Sequence, residues 1–209
     1  MNIKIIILRS VKLFIGYIYD DAIVHKRVGP SEKILAIDFD SVLADTMITW
    51  LEEYNKRSSK SIIKNDITHW DISKALRVSV NEISRIFDYL WKYRWQDIPP
   101  TEPNLNITTR KIHERGYRIS ILTKRYRSSV AYVAEWLGIH DIYCDDLIFI
   151  FDGTSKAKYP FNILIDDAPI NLIDISSPKS AILFNQPWNK DFDWPVRVDS
   201  LKEAEQKVF

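Results

Sequence analysis

Residues 34–46, ILAIDFDSVLADT, decide how this chain is read. Ile34, Leu35, Ala36 and Ile37 run apolar without the alternation of a half-exposed strand. That is the pattern of a strand buried on both faces, as parallel-sheet strands are. Three aspartates, Asp38, Asp40 and Asp45, follow in the next eight residues. Asp38 and Asp40 stand at the strand's end and repel each other unless a cation or a shared proton lies between them. The stretch therefore predicts a parallel sheet whose edge carries an acidic site.

Working outward, the alternation continues. Residues 46–56 (TMITWLEEYNK) have helical spacing, and the polar run RSSKSIIKND follows. A second helical stretch, VNEISRIFDYLWKYRW, places apolar residues at Ile83, Ile86, Phe87, Leu90 and Trp91. DIPPTEP at 97–103 is proline punctuation and reads as a boundary. A helix then runs to Arg115 and stops at Gly116. Strands are predicted at 33–37, 117–122, 147–151, 162–165 and 181–184, with a helix in SSVAYVAEWLG ending at Gly138 and a short strand and amphipathic helix closing the chain. This order predicts an α/β fold, a three-layer Rossmann-like parallel sheet with helices on both faces. The helical block 46–103 interrupts the alternation after the first strand. The expected division is a core of 31–45 plus 104–209, an inserted helical unit of 46–103, and a separate extension of 1–30.

Composition narrows the function. Lysine plus arginine (29) nearly balances aspartate plus glutamate (28), which gives no global electrostatic case for nucleic acid or an anionic membrane. The single cysteine, Cys144, rules out an internal disulfide and fits a reducing compartment, so a cytoplasmic location is expected. With five glycines there is no GxGxxG or GxxxxGK[ST] loop. His25, His69, His113 and His140 show no ligand spacing. The apolar start, NIKIIILRSVKLFIGYIY, is broken by Lys4, Arg9 and Lys12 and is too charged to span a membrane. No small-residue cleavage site follows, so it is a poor secretory signal. It is expected to form a strand or helix packed on the domain, with a membrane-surface or partner-binding segment as the competing reading.

In open parallel sheets the ligand lies beyond the carboxyl ends of the strands. The first strand ends on Asp38-Phe39-Asp40, and ISILTKR ends on Thr123, Lys124 and Arg125. The third is followed by DGTSKAK, with Lys156 and Lys158, and FNILIDDAP ends on Asp166 and Asp167. Carboxylates with oxygen-only partners suit Mg²⁺, which takes one or two carboxylates, waters and substrate phosphate oxygens. The hydroxyl and the cations suit the remaining phosphate oxygens. The predicted ligand set is magnesium and a phosphate.

DFDSVLADT, ILT, a downstream lysine and LIDD, in that order, resemble the four motifs of the haloacid dehalogenase (HAD) phosphohydrolase superfamily, over residues 34–209. The resemblance implies that Asp38 attacks phosphorus and that Asp40 protonates the leaving alkoxide and then deprotonates water. It implies that Thr123 binds a phosphoryl oxygen and that a lysine, Lys156 in preference to Lys158 by its spacing from Asp166, offsets charge. Mg²⁺ would be held by Asp38, the backbone carbonyl of Asp40 and Asp166, with Asp167 ligating or orienting a water. The second aspartate, Asp40, favours a phosphate ester over a halide, since halide needs no proton on leaving. The resemblance implies that the helical insertion at 46–103 forms a cap.

THWDI, WQDIPPTEP, LIDDAPIN and FNQPWN are further similar to the 5'(3')-deoxyribonucleotidase family. That resemblance implies a nucleoside monophosphate substrate, with cap aromatics able to stack on its base. Trp70 and Trp95, in loop-like text, are the foremost candidates, with Trp50 beside them. Phe39, Lys124 and Arg125 complete the expected substrate contacts. Two departures stand out. Ser41 replaces the glycine usual in DxDGVLAD, and Lys124-Arg125 replaces a small residue and proline, adding positive charge that could favour a second substrate phosphate. The expected partners are a small phosphate ester and a second copy of the chain as a homodimer, without nucleic acid or membrane span. A sugar-phosphate phosphatase is the alternative enzyme, and a catalytically weak HAD-fold binding or regulatory protein is the alternative class.

Overall fold

The computed structural model describes residues 33–151 and 153–208 in full, and before them the backbone of strands β1 (Lys4–Arg9), β2 (Lys12–Tyr19) and β3 (Ala22–Ile23). These three strands form a small antiparallel sheet. The remainder of the expected extension lies outside the described residues.

A six-stranded sheet organises the rest. Its strands are β4 (Lys33–Ile37), β5 (Tyr117–Lys124), β6 (Asp146–Ile150), β7 (Ile163–Asp166), β8 (Ser180–Phe184) and β9 (Arg197–Val198). All neighbours pair in parallel, in the order β6-β5-β4-β7-β8-β9. The two-residue side-chain period sorts each apolar run onto opposite faces. Leu35 and Ile37 join Ile121, Ile165 and Ile182 in one core cluster, whereas Ile34 and Ala36 join Leu122, Leu164 and Leu183 in another. Helices α4 (Leu105–Glu114), α5 (Val130–Ile139) and α7 (Leu201–Lys207) cover the first face, and the short α6 (Pro169–Leu172) contributes Leu172 to the second. This is the predicted Rossmann-like layering. The predicted strand boundaries agree with those observed to within two residues.

The sheet order also positions the site. From β4 the chain builds outward through β5 and β6, then returns to place β7 on the other side of β4. The reversal opens a crevice at the carboxyl ends of β4 and β7, where open α/β sheets hold ligands.

Between β4 and α4 the chain is helical: α1 (Thr46–Ser58), α2 (Ile72–Leu76) and α3 (Val80–Tyr89), followed by a π-helical turn, Leu90–Arg94. Asp71 and Ser79 cap α2 and α3 by accepting from the backbone of Ser73 and Glu82. Met47, Trp50, Leu51, Tyr54, Ile67, Ile86 and Leu90 form a separate apolar cluster, in which Trp50 stacks on Tyr54. The DIPPTEP segment straps the acidic loop. Asp45 N–H donates to Pro99 O, and Thr101 donates to Leu43 O through its N–H and to Val42 O through its hydroxyl, so the acidic loop is tied along its length.

Trp136 of α5 supports that loop from beneath. It is fully buried, meets Phe39 edge-on at 5.2 Å, and its indole N–H donates to Ile98 O at 2.8 Å. Trp136→Ala should therefore destabilise the fold by about 3–5 kcal/mol, measured by chemical denaturation. Trp136→Phe, which keeps most of the volume, should lose clearly less.

Candidate active site

Asp38 follows β4, and its backbone N–H bonds Ile165 O of β7 at 2.9 Å, which fixes the two strand ends side by side. Asp166 ends β7, and Asp167 comes next. Carboxylate oxygens of Asp38, Asp166 and Asp167 lie within 4.8 Å of one another, and all three side chains are buried. Lys156 enters this cluster from the turn Lys156–Lys158. Its Nζ is 2.7 Å from Asp38 Oδ1 and 2.6 Å from Asp166 Oδ2, with 1% of the residue exposed. Lys158 is exposed, so of the two candidate lysines Lys156 is the one the fold brings in.

Further donors fill the carboxylates' remaining positions. Asp166 accepts from the N–H of Ala168 at 2.9 Å and from Asn171 Nδ2 at 3.0–3.1 Å. Asp38 accepts from the N–H of Phe39 at 2.7 Å, and Asp167 from the indole N–H of Trp188 at 2.8 Å. Asn171 extends the network to Lys124, whose Nζ donates to its Oδ1 at 3.0 Å. Burial lowers the Lys124 ammonium from its ordinary value, with the Lys156 charge adding to the effect.

Burial, then the charge of Asp166, pushes Asp38 up to about 7 against the pull of Lys156. Asp167 is likewise raised well above the usual range by burial and by Asp166 and Asp38, opposed by the Trp188 bond. Burial alone would lower Lys156, but the charges of Asp166 and Asp38 outweigh it and raise it. Three buried carboxylates face one lysine here, and this donor set of carboxylate oxygens, with no histidine or cysteine among the described residues of the cluster, suits a hard divalent cation.

Asp40 sits nearer the opening, half-exposed. Thr46 Oγ1 donates to its Oδ1 at 2.6 Å, and Arg125 Nη2 forms an ion pair with its Oδ2. The Arg125 side chain is 6% exposed, lies 4.4 Å over the Trp91 ring and 5.1 Å over Phe39, and reaches Thr123 Oγ1 through Nε at 3.4 Å. Thr123 itself is buried at the end of β5, on the same sheet edge as Asp38.

Several expected substrate contacts are placed differently. The Phe39 ring is turned into the core between Trp91 and Trp136, which leaves its backbone at the site. The apolar environment under the loop draws it inward. Arg125 is spent on Asp40 and the aromatic faces rather than held out toward a second phosphate. Trp50 is fully buried in the helical block, its indole N–H on Ile83 O. Trp95 is half-buried against Tyr132, and Trp70 is 44% exposed, stacked on His69. Ser41 adopts φ +64°, the left-handed conformation that explains why glycine is usual there.

Sequence reading named Trp91 only as an apolar helix residue and did not single out Thr46, Asn171, Gln186, Trp188 or Asn189. Only the segments LIDDAPIN and FNQPWN hinted at the last four.

The raised Asp38 gives a pH signature. A carboxyl whose folded value is about 7 and whose ordinary value is 3.8 binds its proton more tightly when folded, so its stabilising contribution is complete below about 4 and is lost as pH rises through 7. Chelator-treated protein should lose thermal stability between about pH 4 and 7. Asp38→Asn should lose less, so that the variant becomes the more stable of the two at pH 8 in a melting series. Parallel curves for the two proteins would show that Asp38 is not under this stress.

A family model described as "5' nucleotidase, deoxy (Pyrimidine), cytosolic type C protein" matches residues 32–209. The 5'(3')-deoxyribonucleotidase of Bacillus subtilis (strain 168) is 26% identical over 177 residues, covering 85% of this chain and 99% of the relative. Among solved structures, a predicted phosphoglycolate phosphatase from Haemophilus somnus 129PT superposes with a TM-score of 0.57 at 12% identity, covering 85% of this chain and 99% of that one. A haloacid dehalogenase-like hydrolase from Burkholderia xenovorans LB400 gives 0.54 at 13%, covering 86% and 97%. At such identities the superpositions show the fold, and that fold is haloacid dehalogenase-like. The family match spans the whole six-stranded unit with its acidic edge, and the chain therefore belongs to the 5' nucleotidase, deoxy (pyrimidine), cytosolic type C family and is a phosphoric monoester hydrolase.

Proposed function

We propose that the chain hydrolyses a (deoxy)nucleoside monophosphate in two steps through an aspartyl-phosphate on Asp38, with Asp40 as general acid and base. The observation that carries this reading is the buried meeting of Asp38, Asp166 and Asp167 around Lys156 at the carboxyl edge of the sheet. In the first step an Asp38 oxygen attacks phosphorus while the ester oxygen leaves and takes a proton from Asp40. In the second, Asp40 removes a proton from a water, which attacks phosphorus, frees phosphate and restores Asp38. Thr46 and Arg125 aim Asp40 through both of its oxygens. The Thr123 hydroxyl binds a phosphoryl oxygen, and Lys156 offsets the charge of nucleophile and phosphate.

Asp38, the backbone carbonyl of Asp40 and Asp166 would hold Mg²⁺, with Asp167 ligating it or orienting one of its waters. The ion, when bound, supplies positive charge that lets an anionic nucleophile approach an anionic phosphate. The helical block 46–103 is read as a cap over this edge, with Trp70 as its most exposed tryptophan and the candidate base-stacking surface. Support for a nucleotide substrate comes from the family and from the name of the Bacillus relative.

A panel of ribo- and deoxynucleoside monophosphates and sugar phosphates, assayed with Mg²⁺ and with EDTA, tests this reading. The highest kcat/KM should fall on a nucleotide, EDTA should remove turnover, and Asp38→Asn should reduce it to background while remaining folded. A sugar phosphate preferred over every nucleotide would overturn the substrate assignment.

Asp40→Asn separates the acid role from the rest. It should lower kcat by about 10²–10⁴-fold on an alkyl phosphate. On p-nitrophenyl phosphate, whose leaving group needs no proton, the loss should be much smaller. Equal losses on the two substrates would remove Asp40 from the acid role.

A further inference from the structure

FNQPWN, residues 184–189, has no part in the chemistry above, yet its side chains reach both acidic loops. Gln186 Nε2 donates to Ser41 O at 2.6 Å, across the loop that carries Asp38 and Asp40. Asn189 Nδ2 donates to the backbone O of Asp167 and of Phe184, each at 2.8 Å. Trp188 Nε1 donates to Asp167 Oδ2 at 2.8 Å. All three side chains are buried.

The Trp188 ring is also fixed from above. It belongs to the apolar cluster of the helical block, with Met47, Trp50 and Ile67. Lys64 lies 5.7 Å over it and is itself tied to Asp45 at 2.7 Å. A phenyl ring in this place would offer no donor, whereas the indole donor here meets a carboxylate in the acidic cluster.

We propose that Trp188 is the positioning residue of the acidic cluster: its indole N–H fixes the orientation of the Asp167 carboxylate toward a divalent cation, while Gln186 and Asn189 hold the two acidic loops in register. The inference rests on the proposed cation site. Without the indole, the Asp167 carboxylate is free to rotate about its last bond, and the cation meets a less ordered ligand set. Partners of this kind typically change metal affinity by about 10–100-fold.

Calorimetric titration of chelator-treated protein with Mg²⁺ or Mn²⁺ tests this. Trp188→Phe, folded by circular dichroism, should bind either ion at least about tenfold more weakly than the wild type. Equal affinity would overturn the role of Trp188 and leave the cation site standing. A wild type that binds neither ion would overturn the site and this role with it. A second measurement needs no variant. In wild-type protein labelled with ¹⁵N at its seven tryptophans, the assigned Trp188 indole N–H resonance should shift on Mg²⁺ addition with the calorimetric Kd. A resonance unmoved at saturating Mg²⁺ would overturn the proposal.

Discussion

Mutual repulsion among Asp38, Asp166 and Asp167 is the constraint on which the rest of this structure depends. Carboxylates this close and this dry are costly to ionise, because neither water nor a low-dielectric interior screens them. The surrounding residues answer that cost with donors. Lys156 bridges Asp38 and Asp166, and Asn171, the Ala168 amide, the Phe39 amide and Trp188 occupy further positions. Burial first, and then the neighbouring carboxylates, keep Asp38 and Asp167 elevated against these donors, and three carboxylates still face one lysine. A hydrolase of phosphate monoesters can use such a surplus to bind a cation that then faces the anionic substrate.

The same constraint explains why helices and sheet are joined where they are. Asp40 is held by Thr46, the first residue of α1, and by Arg125, just past β5. Arg125 in turn lies under Trp91, in the π-helical turn that ends α3. Such turns recur at functional sites because one extra residue re-aims a side chain. The helical block therefore touches the site at several points: Thr46 on Asp40, Trp91 on Arg125, and the cluster that covers Trp188. The two departures noted in the sequence also find a place here. Arg125 serves Asp40, and Ser41 keeps the left-handed turn that glycine would take, with Gln186 bonding its carbonyl.

Much of the architecture was legible in the sequence, since it depends on local signals. Uninterrupted apolar runs marked the buried strands, and Gly116, with φ +88°, marked the end of a helix. Asp38, Asp40, Thr123, Asp166 and Asp167 stand where apolar runs end, which strand position alone gives. Direction and partnership were not legible. Phe39 lies between two aspartates, yet its ring belongs to the core, because the bend after β4 turns it against Trp91 and Trp136.

The choice between Lys156 and Lys158 shows the division most clearly. They lie two residues apart in one turn, and composition treats them alike. One is enclosed between Asp38 and Asp166, and the other faces solvent. The sequence by itself determined the α/β layering, the acidic edge and its resemblance to a phosphohydrolase, because apolar periodicity and motif order are properties of neighbouring residues. Tertiary structure alone decided that Arg125 turns to Asp40 and that Trp188 reaches Asp167, and it seats Lys156, already favoured by its spacing from Asp166, between two carboxylates. Arg125 lies 85 positions from Asp40 and Trp188 21 from Asp167, and the parallel pairing of β4 with β5 and of β7 with β8 brings their loops within hydrogen-bonding distance.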